Sequence, residues 1–307
     1  MTKGRSTNLP ASIHQRLLNL SMKEGQDFQF LLTRFALERF LYRLSVSPYA
    51  KQFILKGAML FTVWTGKSRR PTRDLDLLGY CENNRETLTA LFQQICKVDV
   101  EPDGLNFDSG SIQVEEIRED QEYQGQRVRL VANLGKSQIH IQIDIGFGDI
   151  TTPVAEEVDY PTLLDLPFPR VRAYPKETVI SEKLQAMVSL GMPNSRMKDF
   201  YDIWMISKQF NFDGLMLVRA IKATFDRRNT VIPTETPIAL SDEFAKDQYK
   251  ATQWKAFLMR NRLEDPGIAL PLVVDEFRNF LIPPLIAAAT GDVFNQSWSV
   301  GGPWLPS

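Results

Sequence analysis

Asp74-Leu75-Asp76 is the first place in the sequence where residue types and spacing could do chemistry. Side chains alternate between the two faces of a strand. Both carboxylates would therefore share one face, about 7 Å apart at about 3.3 Å per residue. Leu75 and Leu77 would point the other way, into a core. Two carboxylates fixed side by side repel each other unless a cation stands between them. Magnesium suits such a pair, because it takes oxygen ligands and completes its shell with waters and substrate phosphates. Manganese could replace it. Asp144 is a candidate third ligand. It lies on the polar face of Gln138–Ile145, where Ile139, Ile141, Ile143 and Ile145 take the other face. Metal held this way would activate an attacking hydroxyl and stabilise a leaving pyrophosphate. Each acid taken alone also reads as an ordinary solvated strand residue.

The neighbourhood adds weight. Lys56-Gly57-Ala58 offers a tight glycine turn, which lets backbone N–H groups approach phosphate oxygens. A basic cluster of Lys67, Arg69, Arg70 and Arg73 follows, able to meet phosphate or an RNA backbone. A second polar group lies further along. Glu182-Lys183-Leu184-Gln185-Ala186 reads as one helix, ended by Gly191 and Pro193. On the next helix Asp199 and Asp202 are three apart and share a face, and Lys198 and Asp202 have the spacing of an ion pair. A helical hairpin with routine surface charges is the alternative for this segment.

These residues need elements to carry them. Residues 10–47 show helical apolar spacing, interrupted at Gly25. A strand should start at Asp74, and Glu86–Val98 reads as a helix. Ser111–Ile117, Arg127–Ala132 and Gln138–Ile145 read as antiparallel strands. Residues 151–175 read as a connector. Candidate helices then follow at Glu177–Leu190, Met197–Gln209, Phe212–Arg227, Ser241–Leu263 and Pro271–Ala289. The irregular tail holds Trp298 and Trp304, which should dock back on the body. The order is α+β: a mixed sheet with flanking helices over residues 1–170, then a mostly helical domain over 171–307.

Composition sets the outer limits. The chain has 307 residues, 43% of them hydrophobic, which argues for a globular protein of two domains. A formal net charge of -1 argues against a surface coated in positive charge for bulk nucleic-acid binding, though not against one basic cleft. Two cysteines and two histidines make a structural zinc site or a disulfide scaffold improbable. No signal-peptide pattern is visible. The longest apolar stretch, Leu281–Ala289, is too short to span a bilayer at about 20 residues. The expectation is a cytoplasmic protein without membrane contact.

The stretch FILKGAMLFTVWTGKSRRPTRDLDLL resembles the first motif of the AbiEii/AbiGii-type toxins, the MenT-like nucleotidyltransferases. There a Lys-Gly-small segment precedes Arg-x-(Ser/Thr)-x-Asp-x-Asp. Ala58 departs from the usual Gly or Ser, losing a hydroxyl donor but keeping its amide. Glu182-Lys183-Leu184-Gln185-Ala186 and Arg196-Met197-Lys198-Asp199-Phe200-Tyr201-Asp202 are similar to the family's later motifs, in the same order.

The resemblance implies a nucleotidyltransferase-like fold and an NTP-dependent toxin that joins nucleotides to an RNA acceptor, the tRNA 3′ end. Blocking that end would halt translation. It implies magnesium on Asp74 and Asp76, with Asp144 as the usual third carboxylate. Lys56, Gly57, Ala58 and Arg70 would line the nucleotide, and Lys183 would contact the triphosphate. Asp202 would complete the catalytic face, ordered by Lys198 and Asp199, with both segments serving one active site. The implied partner is an AbiEi-like antitoxin, a DNA-binding repressor that need not touch the toxin, in a phage-defence or stress module. A metal-dependent phosphohydrolase or kinase, and a non-catalytic RNA-binding subunit, are the alternatives. On this reading Asp76→Ala and Lys183→Ala should each abolish transfer with the fold intact.

Overall fold

The computed structural model describes residues 8–66, 71–119, 123–263 and 268–307. The expected phosphate contact Arg70, with Lys67 and Arg69, lies outside the described residues. The chain forms two compact units. The first runs to Gly148 and resumes over Glu156–Ala173, and the second comprises Asp149–Ala155 and Tyr174–Ser307.

The first unit opens with α1 (Leu9–Glu24) and α2 (Phe28–Ser45). Gly25 closes α1 in the left-handed conformation at φ 66°, the break that the sequence predicts. β1 (Phe53–Lys56) runs into a tight helical turn at Gly57–Met59 and then α3 (Leu60–Thr65). β2 (Asp74–Gly79), α4 (Arg85–Cys96), β3 (Leu105–Glu119), β4 (Tyr123–Leu134) and β5 (Ser137–Phe147) follow. β6 (Glu156–Asp159) and β7 (Arg170–Ala173) complete the unit.

Among the described residues these seven strands form one mixed sheet, in the order β3-β4-β5-β2-β1-β7-β6. β2 pairs antiparallel with β1 and parallel with β5. α1, α2 and α4 cover one face of the sheet, and Leu75, Leu77, Ile141, Ile143 and Ile145 are buried. The alternation in the sequence therefore sorts the sheet correctly: leucines and isoleucines to the core, carboxylates to the other face.

Three strands of this sheet fall where the sequence suggests none. The three apolar residues of β1 are all buried, so it reads as a plain apolar run rather than an alternation. β6 and β7 lie inside the expected connector, and four residues are too few to establish a period.

Beneath the sheet, Asp103 accepts from both Arg39 and Arg43 in a buried ion cluster. Glu38, equally buried, receives the backbone N–H of Leu163 at 2.8 Å. Its other oxygen stands 3.7 Å from Arg39, beyond hydrogen-bonding reach. Burial is the largest influence on Glu38 and outweighs Leu163 and the nearby arginines, pushing its carboxyl up to about 7.

The second unit holds α5 (Lys176–Leu190), α6 (Met197–Gln209), β8 (Phe212–Asp213) and α7 (Gly214–Arg227). α8 (Asp242–Lys246), α9 (Gln248–Arg260), α10 (Leu270–Thr290), β9 (Gln296–Trp298) and β10 (Trp304–Pro306) follow. The single helix expected at Ser241–Leu263 is two, because Asp247 adopts an extended conformation and caps α9 through the Lys250 N–H. Phe200, Phe244 and Phe277 stack at the centre of this unit. The tail returns as strands against β8. Trp298 donates to the Ser207 carbonyl and Trp304 to the Phe280 carbonyl, each at 2.9 Å. Among the described residues no helix is long and apolar enough to cross a membrane.

Candidate active site

On the polar face of the sheet, register builds a row of charge. Lys56 on β1 faces Asp76 on β2, Asp76 faces Asp144 on β5, and Asp144 faces Arg127 on β4. Paired residues in neighbouring strands point to the same face, about 5 Å apart. The row therefore reads cation, acid, acid, cation. Asp74 lies two residues before Asp76, opposite Gln142. Both β2 acids are half-buried and alternate with the buried Leu75 and Leu77.

Gly57 explains how Asp76 is seated. It has φ 73°, the left-handed region that favours glycine. A Cβ at this position would lie 1.8 Å from Asp76 Oδ2 and 2.7 Å from Asp76 Cβ. The carboxylate therefore occupies the space that any other side chain would take. Ala58 is buried in the same turn. Lys56 reaches along the row towards β5, its Nζ 3.5 Å from where a Cβ on Gly146 would stand.

Asp144 is engaged differently. Arg127 grips it with two parallel bonds, Nε to Oδ1 at 2.8 Å and an Nη to Oδ2 at 2.7 Å. Gln142 adds a bond to Oδ2 at 3.3 Å. The hydrogen bond to Asp144 is the main reason the Arg127 guanidinium sits above its ordinary pKa. Arg127 has no role in the sequence reading, yet a signal was available. Leu134 pairs with Ser137 across a two-residue turn, and this fixes the register that sets Arg127 against Asp144.

Among the described residues no group of three or more His, Cys, Asp or Glu could hold a metal ion. Asp74 and Asp76 nevertheless offer hard oxygen donors from alternate residues of one strand, with Asp76 accommodated by the bare Gly57. That donor set fits a magnesium ion whose remaining ligands are waters and phosphates.

In the second unit, α5 and α6 bring together what the sequence spaces apart. Lys183 donates to Asp199 Oδ1 at 2.5 Å and Asp202 Oδ2 at 3.0 Å. Arg196 binds the other Asp199 oxygen at 2.7 Å. Both acids are almost completely buried. Burial alone would raise the Asp199 pKa, but the Lys183 and Arg196 charges outweigh it and hold the carboxyl well below the usual carboxylate range. Lys198 is exposed on α6. Asp202 thus pairs with Lys183, nineteen positions away, across the helical hairpin.

A further network escaped the sequence reading. Arg228 binds both Asp149 oxygens at 3.1 Å, donates to Gln185 at 2.8 Å and lies 3.4 Å from Glu182. Nothing local in the sequence links these four positions, since α7 must first pack on α5.

A mixed sheet with an acid pair on one strand, in a chain that also carries a helical unit, matches the nucleotidyltransferase-like fold that the motifs lead one to expect. The family model described as "Nucleotidyl transferase AbiEii toxin, Type IV TA system" matches residues 39–281, and the chain belongs to that family. The chain is also similar to the crystal structure of JHP933 from Helicobacter pylori. Identity is 16% and the TM-score 0.47, over 87% of this chain and 94% of that one. A second H. pylori structure, of a proposed nucleotidyltransferase, gives the same identity and TM-score over 87% and 97%. No curated protein sequence matches the chain.

Proposed function

We propose that this toxin uses a nucleoside triphosphate to add nucleotides to the 3′ end of an RNA, with tRNA as the acceptor. The acceptor hydroxyl oxygen would bond to the α-phosphorus and lose its proton to water, the α–β bridge would break, and pyrophosphate would leave. Asp74 and Asp76 would hold magnesium, with manganese as a substitute. The metal would supply Lewis-acid stabilisation of phosphate charge. Gly57 and Ala58 would present backbone to the phosphates, with Lys56 and Arg70 adding positive charge. Lys183 would contact the triphosphate, aimed by Asp199 and Asp202. Lys198 would serve the nucleotide from the exposed side of α6. Most of the rate would come from positioning and charge stabilisation. An AbiEi-like antitoxin would control the toxin, with or without direct contact.

The observation that supports this reading is the seating of Asp76 on Gly57, which joins the glycine turn and the acid pair in one piece of chemistry. Incubation with each of four labelled triphosphates and total tRNA tests it. Label stably joined to RNA is the expected result. Free phosphate would indicate a hydrolase, and absence of turnover a binding subunit.

A further inference from the structure

Three acids on adjacent strands make an unfavourable cluster unless cations offset them. The sheet brings its own cations, Lys56 at one end of the row and Arg127 at the other. The two ends are not equivalent. Arg127 forms a planar fork that takes both Asp144 oxygens, with side chains only 26% and 19% exposed. Two positions along β4, Arg129 pairs with Glu115 at 45% and 47% exposed, an ordinary surface bridge of small consequence. The bidentate geometry at Arg127 is the stronger and more specific kind. It points the Asp144 carboxylate along the sheet towards β4, whereas β2 and its acid pair flank β5 on the other side.

We propose that Arg127 is a positioning residue that keeps Asp144 out of the metal shell, so that Asp74 and Asp76 hold the divalent cation without a third carboxylate from β5. This rests on the reading that Asp74 and Asp76 bind that cation. Its consequence is a site that holds metal weakly until phosphates complete the shell. Such a site would load metal and nucleotide together. Removing Arg127 would release Asp144 as a third anionic oxygen donor and create a site that captures the bare ion.

Mg²⁺ titration of the full chain without nucleotide, by calorimetry and by thermal shift, tests this. Arg127→Gln should bind Mg²⁺ at least tenfold more tightly than the wild type. Arg127→Gln/Asp144→Asn, which replaces the ion pair by a neutral one of similar shape, should return to within threefold of the wild type. Unchanged or weaker binding by Arg127→Gln would overturn the proposal. So would a double variant that binds tenfold more weakly than wild type, because Asp144 would then be a ligand already. The double variant keeps a hydrogen-bonding pair in place, so it informs even where Arg127→Gln folds poorly. Adding Asp76→Asn to Arg127→Gln should abolish the gain. If it does not, the cation is not at the β2 acids, which sinks the metal reading by a route that needs neither nucleotide nor acceptor.

Discussion

Asp74 and Asp76 stand half-buried on β2, whereas Asp199 and Asp202 on α6 are only 1% and 2% exposed. Both pairs are acids at short spacing, and both lie in stretches that resemble family motifs. Their settings differ in kind. Half-hydrated strand acids can exchange partners cheaply, because water shares the cost of their charge. Sealed helix acids cannot, since an unpaired buried charge costs several kcal/mol. The strand pair can therefore answer to a ligand at small cost, while the helix pair answers first to the fold. Substitutions should separate the two regions by which property they change.

The largest effect should come from Asp76→Asn. We expect transfer to fall more than about 1,000-fold, equivalent to about 4 kcal/mol of transition-state stabilisation. Thermal stability should stay near the wild-type value, because asparagine keeps the shape of the carboxylate in the space above Gly57. Initial rates in the labelled-triphosphate assay, with a melting curve on the same sample, check this. A variant that melts early and transfers poorly would erase the contrast between the regions.

Lys183→Ala should come next, and it reverses what the sequence suggests. Read from the motif alone, Lys183 is a substrate contact whose loss spares the fold. In the structure it neutralises two buried carboxylates at once. Its removal should cost about 3–5 kcal/mol, the usual penalty for breaking a buried pair from one side. Urea denaturation measures it directly. Asp199→Asn should cost less, since Asp202 still faces Lys183. A Lys183→Ala protein of wild-type stability would show that the helix pair is no more tied to the fold than the strand pair.

The sequence carried the strand acids because their signal is local: a two-residue period with leucines between. The partners of the helix acids are not local. Spacing offered Lys198 to Asp202, and packing of α5 on α6 supplied Lys183 instead. Arg127 is intermediate. Its contact is long-range, but a two-residue turn fixes the register, so counting along the hairpin finds it. Glycine roles divide the same way. Gly25 ends a helix and is readable from periodicity. Gly57 is needed because of Asp76, a residue on the neighbouring strand β2.

That dependence makes Gly57→Ala the next test of the comparison. A left-handed φ costs a residue with a Cβ about 1–2 kcal/mol, and the new methyl would collide with Asp76 Cβ as well as its carboxylate. We expect about 1–3 kcal/mol of lost stability and a roughly 100-fold loss of transfer, larger than the fold damage alone would give. Equal losses in transfer and in folded fraction would mean that Asp76 tolerates displacement.

The smallest effect separates two buried acids by the sign of their pH response. Asp199 has a lowered folded pKa, so its contribution is present above the unfolded value of 3.8 and is lost only in strong acid. It adds no slope near neutrality. Glu38 is the reverse case. Its folded pKa is raised from 4.5 to about 7, so the folded state binds the proton more tightly. That stabilisation is complete below the unfolded value and disappears as pH rises through 7. Between about pH 6 and 8 the loss from this one group should be about 1.4 kcal/mol, the worth of one pKa unit. Glu38→Gln keeps the acceptor for the Leu163 N–H and cannot ionise, so its stability should fall less over that interval by the same amount. Parallel slopes for the two proteins would mean that Glu38 is already ionised when folded, held by Arg39 as Asp199 is held by Lys183.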